Sequence, residues 1–205
     1  MWKRVLRNNP LHPCFLRKCG SSGVSLHEGF FMVSFNKRKQ VNPDGIHLLA
    51  SILVCFSEIT TISYEPKDES LSITFTIQAS MNQEEFDELA QFLAESVHTY
   101  HVLEGFAESH VDFSMEIHDK LSFLHVMRDI ATMSRGELSM MVSIMKDRFG
   151  GRLLVDGHDR GFIDPDFAAA QEENLDRMLG NVQGIGLSTR LVGVREGDHV
   201  VVFDR

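Results

Sequence analysis

The densest set of chemically capable side chains is Asp156-Gly157-His158-Asp159-Arg160-Gly161-Phe162-Ile163-Asp164-Pro165-Asp166. Carboxylates offer a hard divalent cation oxygen ligands, and a carboxylate beside an imidazole can serve as general acid and base. Asp156, His158, Asp159 and Asp164 are therefore the candidate metal ligands, and 156–166 is the loop a metal-dependent enzyme would use. It falls between an expected strand end and an expected helix start, where functional loops sit. The spacing departs from the calcium-loop series, which needs alternating acids, a glycine and a terminal glutamate. Asp164 and Asp166 also have an ordinary use at a helix N-terminus, and Asp156-Gly157 in a turn. Solvated scaffold is the favoured reading of the loop.

Histidine supplies the second constellation: His98, His101, His110, His118 and His125. Residues three apart share a helix face, so His98 and His101 would need only a later residue to complete a metal site. With 10 histidines among 205 residues, some proximity is expected without any function. Proton-linked behaviour near neutral pH is the milder expectation. Cys55 lies in the apolar run Ile52-Leu53-Val54-Cys55-Phe56 and reads as a small core hydrophobe. Cys14 and Cys19 are two potential ligands where a structural zinc site needs four.

Common catalytic signatures are missing from the sequence. There is no G-x-x-x-x-G-K-[ST] phosphate loop and no G-x-S-x-G nucleophile elbow. Gly180 to Gly186 is glycine-rich but follows an expected helix, so its N–H groups are not placed to cradle a phosphate.

The net charge of −9 disfavours wholesale binding of a phosphate backbone, and three cysteines, an odd number, fit a reducing compartment better than a disulfide scaffold. Charge is unevenly spread: residues 1–39 hold eight Lys/Arg against one acid, Glu28, while the remainder is strongly acidic. Residues 1–28 are thus expected to be a basic, flexible leader. Its alternative readings are a transit peptide, a nucleic-acid or membrane-surface arm, or a start-site artefact with translation beginning at Met32. No apolar run is long enough to span a membrane.

The elements that must position these groups follow from periodicity. Helices are expected at Pro43 to Phe56, Asn82 to Gly105, Ser134 to Gly150 and Pro165 to Val182, each with an apolar stripe and a start or stop signal. Asn82 with Glu85, and Ser134 with Glu137, have capping-box spacing. Strands are expected at Ile59–Tyr64, Leu71–Ile77, Val111–His118, Leu121–Ile130, Arg152–Val155, Leu187–Arg195 and His199–Phe203. Several alternate strictly, which indicates an antiparallel sheet with one wet face.

Residues 29–205 are therefore expected to form one α+β domain, with sub-boundaries near 105–110 or 156–164. An antiparallel or mixed sheet would carry helices on one side. With a further strand at Gly29 to Phe35, the first half resembles a split βαβ (ferredoxin-like) unit. The helix from Glu137 to Phe149 is apolar beyond one face, because Met140 and Ile144 lie about 100° or more from the main stripe. Together with Met133 they form the candidate interaction surface, and a homodimer is the expected assembly.

The function these features favour is a non-catalytic, cytoplasmic protein acting by protein–protein contact or small-ligand sensing, without a cofactor. The competing readings are a divalent-metal-dependent enzyme using 156–166 and a nucleic-acid-associated factor using the basic segment.

Overall fold

The structure is a computed structural model, and it describes residues 43–106, 110–155, 165–181, 187–196 and 199–204. Helix α1 (Pro43–Cys55) is followed by β1 (Ile59–Glu65), β2 (Ser70–Ile77), α2 (Gln83–Glu104), β3 (Val111–His118) and β4 (Leu121–Asp129). Next come α3 (Arg135–Phe149), one 3₁₀ turn (Gly150–Arg152), α4 (Pro165–Gly180), β5 (Leu191–Glu196) and β6 (His199–Asp204). Among the described residues no helix is long and apolar enough to cross a membrane.

The strands form one six-stranded sheet in the order β3-β4-β2-β1-β5-β6, and every neighbouring pair is antiparallel. The expected α+β class is the one observed. β2 and β3 both flank β4, so they run in the same direction and α2 connects them. The strand at 29–35 that the ferredoxin-like unit requires lies outside the described residues, as does the leader 1–28.

Period-two alternation decides which side of the sheet is covered. Leu71, Ile73, Phe75 and Ile77 of β2 are buried, and they pair in register with Ile62 and Tyr64 of β1 and with Leu124 and Val126 of β4. These side chains join Leu48, Leu49, Ile52 and Leu53 of α1, Leu89, Leu93 and Val97 of α2, Leu138, Met141 and Met145 of α3, and Leu175 and Leu179 of α4 in one cluster. The helices cover that face. On the other face of β2, Ser72, Thr74 and Thr76 meet Ser63 and Thr61 of β1 and Met127, His125 and Phe123 of β4. A bulge at Thr60 sends its hydroxyl to Thr74 O (3.1 Å) and Thr76 Oγ1 (2.9 Å) on the same face.

Local signals explain the helix ends. Asn82 Oδ1 accepts from Glu85 N and Asn82 N donates to Glu85 Oε2, both at 2.9 Å, so this capping box is complete. Gly105 closes α2 at φ 73°, a left-handed position that glycine takes without strain. At α3 only half the expected box forms. Ser134 Oγ accepts from Glu137 N at 3.1 Å, but the Glu137 carboxylate is used elsewhere. The strand expected at Arg152–Val155 is also reduced. Leu153 makes a single bridge to Ile77, flanked by Gln78 N to Arg152 O and Leu154 N to Thr76 O. The stub extends pairing along the end of β2, beyond the point where β1 pairs with it.

Gly193 sets how closely α1 approaches the sheet. A Cβ there would lie 3.0 Å from Leu53 Cδ1 and 3.1 Å from Ile62 Cγ2. Gly193→Val should therefore overpack the α1–sheet seam and cost about 1–3 kcal/mol. Urea denaturation checks this, and an unchanged midpoint would mean that the seam has slack.

Candidate functional site

Strand β4 carries two unusual side chains on opposite faces. Its core-facing positions are Ser122, Leu124, Val126 and Arg128, so an arginine occupies a slot that alternation reserves for an apolar residue. A buried guanidinium is tolerated only when paired and hydrogen-bonded. The facing helices, the segment before β3 and the end of β4 with the loop after it supply the partners. Arg128 Nε donates to Glu137 Oε1 at 2.6 Å, and its second terminal nitrogen donates to Glu137 Oε2 at 3.1 Å, a bidentate grip across from α3. The other terminal nitrogen donates to His110 O at 2.6 Å and to the Asp129 carboxylate. Thr132 Oγ1 takes a further bond at 3.1 Å.

His101, in the last turn of α2, completes the cluster. Its Nε2 lies 2.7 Å from Glu137 Oε2 and 3.3 Å from an Arg128 nitrogen. Arginine only donates and the carboxylate only accepts, so Nε2 carries a proton and gives it to Glu137. Tyr100 braces the same corner through a 2.9 Å bond to Ser134 Oγ, and its hydroxyl fills the space in front of Gly136. The Phe106 ring lies against both Tyr100 and His101.

The electrostatics follow from this geometry. Burial alone would lower the Arg128 pKa, but the hydrogen bond and charge of Glu137, with Asp129, hold it above its usual value. Burial would raise the Asp129 carboxyl, yet bonds from Thr132 and the Arg128 charge keep it below the usual carboxylate range. The side chains of Arg128 and Glu137 are 0% exposed and that of His101 is 4% exposed. An acid, a base and a cation converge here, but the site is sealed. It acts as a pin joining β4 to α2 and α3.

The opposite face of β4 presents Leu121, Phe123, His125 and Met127. His125 Nδ1 pairs with Thr74 Oγ1 at 2.9 Å, while its buried Nε2 has no hydrogen-bond partner among the described residues. Burial lowers the His125 pKa, and nearby Glu116 opposes this only in part. In register across the sheet, this face continues through Asp112, Ser114, Glu116 and His118 of β3. On the other side it runs through Val192 and Val194 of β5 and Val201 and Phe203 of β6. It thus combines apolar side chains with small hydroxyls, and no helix among the described residues lies on it.

The described residues among those singled out from the sequence are dispersed. Asp156, His158, Asp159 and Asp164 lie outside the described residues. The histidines do not converge: His98 is exposed while His101 is buried, His110 and His118 lie at opposite ends of β3, and His125 is on the far face of the sheet. Among the described residues no group of three or more His, Cys, Asp or Glu is placed to hold a metal. Met133 is buried, and Met140 and Ile144 are half-buried against the core on α3, which lies between α2 and α4. Arg128 and Glu137 were not anticipated as a pair. The available signal was an arginine at the parity of Leu124 and Val126, which demands a carboxylate nearby. Comparison with family models, curated proteins and solved structures finds no match to this chain.

Two expectations follow. Arg128→Met leaves Glu137 buried without its cation and should cost about 3–5 kcal/mol, while Arg128→Met with Glu137→Leu should recover a substantial part of that loss. Chemical denaturation of both variants decides it, and equal losses would show that the pair is not the pin. The second concerns His125. Its folded pKa is depressed, so on acidification the unfolded chain takes up the proton first. Its contribution is therefore lost as pH falls below the unfolded value of about 6.5. His125→Asn should gain stability relative to the natural protein between pH 7.5 and 5, measured by thermal unfolding, whereas a constant difference would contradict the assignment.

Proposed function

We propose that this is a non-catalytic cytoplasmic protein that acts by contact with another protein, using the face of its sheet on which none of the described helices lies. The observation that carries the reading is that face: Leu121 and Met127 of β4 are each more than a third exposed beside half-buried Phe123, and across the hydroxyls of β2 and β1 half-buried Val194, Val201 and Phe203 form a second apolar group on β5 and β6. An antiparallel sheet that leaves one face to solvent normally makes that face polar. Here the outward positions of β4, β5 and β6 keep their apolar side chains, and adjoining apolar groups on a surface mark contact sites. Two further observations support the reading. The described convergence of acid, base and cation is closed to substrate by burial. The three cysteines suit a reducing compartment.

The test is recovery of bound protein with the tagged full chain in its native host, comparing the natural protein with Leu121→Lys/Met127→Lys. Both positions are exposed, so the fold should survive, as circular dichroism will check. A protein recovered in near-equal amount with the natural chain and lost with the variant supports the reading. Equal recovery with both would overturn it.

A further inference from the structure

The two edges of the sheet are finished differently. At the β6 edge the core-facing Val200 and Val202 are both 1% exposed, because α1 lies over them. At the β3 edge the core-facing Val111, Phe113 and Met115 are only half-buried, and Ile117 is 45% exposed. β3 is also a regular edge: eight residues pair with β4 without a bulge, and none is proline. Among the described residues no further strand uses its outer row of backbone donors and acceptors, and its apolar side is only partly covered.

The helix packed beside β3 is open in the same direction. On α2 the stripe Leu89, Leu93 and Val97 faces the core, and His101 reaches across to Glu137 on α3. Phe92 and Leu103 lie on the opposite flank, eleven positions apart, which is three turns and about 20° of rotation. They are 54% and 79% exposed. Both layers of the fold therefore leave apolar side chains facing outward at one edge.

We propose that a second copy of this chain docks there, through antiparallel pairing of β3 with β3 about a two-fold axis at Met115. The charges select the register. Alternation allows only registers that place core-facing residues opposite core-facing residues. Of the two that keep most of the strand paired, one centred on Ser114 sets Asp112 against Glu116 at both ends, which is repulsive. The other, centred on Met115, sets Asp112 against His118 and Ser114 against Glu116 on the outer face. On the core side it sets Phe113 against Ile117 and Met115 against Met115. The two sheets become one continuous sheet, with Phe92 and Leu103 of each α2 turned towards the partner. Within one chain Asp112 and His118 lie at opposite ends of β3, so they can meet only across the interface. In the free chain their ion pairs are exposed, His110–Asp112 at 3.5 Å and His118–Glu116 at 3.7 Å, and the His118 ring also stands edge-on to Phe123.

Sedimentation equilibrium of the full chain at tens of micromolar tests the proposal, with circular dichroism as the control for folding. The natural protein should be a dimer. Asp112→Lys, at an exposed position, should weaken it about tenfold or more, because the symmetry counts each altered pair twice. Asp112→Lys combined with His118→Asp should restore it, which no contact within one chain can mimic. A monomeric natural protein would overturn the proposal. So would a dimer indifferent to Asp112→Lys, or one strengthened by it, as the Ser114 register requires. A monomer that still recovers its partner protein would defeat this assembly and leave the proposed function standing.

Discussion

The bidentate pairing of Arg128 with Glu137 is the interaction around which one half of the molecule is arranged. A guanidinium on the core side of a sheet is costly, with desolvation of several kcal/mol per ion before partners are counted. The chain offsets it with two carboxylates, a hydroxyl and a backbone carbonyl, all in place at once. Glu137 can reach Arg128 only if α3 begins where it does, and His101 can reach Glu137 only if α2 runs its full length. One buried charge thereby fixes the ends of two helices against the C-terminal end of a strand.

This arrangement has a consequence at the start of α3. Glu137 stands at the third helical position after Ser134, where its carboxylate would ordinarily turn back to the N-cap. It points into the core instead, and Ser134 caps the helix alone, with Tyr100 as its lateral partner. The local preference gives way because an unpaired buried arginine costs more than half a capping box. α3 also sits between α2 and α4, which explains why its apolar surface is wider than a two-layer helix needs: Met140 and Ile144 rest partly against the chain's own core.

Concentrating the helices on one face leaves the sheet with two unlike sides. The covered side is largely hydrocarbon, interrupted by the Arg128 cluster and by Ser122, whose hydroxyl bonds the backbone at Ala79 and Met81. The other side alternates hydroxyls on the central strands with apolar groups on β4, β5 and β6. His125 marks its middle, half satisfied by Thr74 and shielded enough that its charged form is disfavoured. At the β3 edge the cover is thinner: Val111, Phe113 and Met115 are only half-buried and Ile117 is exposed.

Periodicity and capping chemistry were sufficient to determine most of the elements. Alternation in Leu71–Ile77 and in Val111–His118, the Asn82 box and the Gly105 stop are local properties, set by sterics and by hydrogen bonds within a few residues. The α+β class with helices on one side followed from the same patterns. Strand order did not, because pairing β5 with β1 joins segments far apart in the chain and depends on which faces complement each other. The histidines show the same limit. Spacing put His98 and His101 on one face of a helix, yet packing buried one and exposed the other. Arg128 looked like a polar residue in a strand, Glu137 like a cap and His101 like a metal ligand. Their partnership exists only because the fold brings a strand and two helices to one point, and sequence distance carries no information about that meeting.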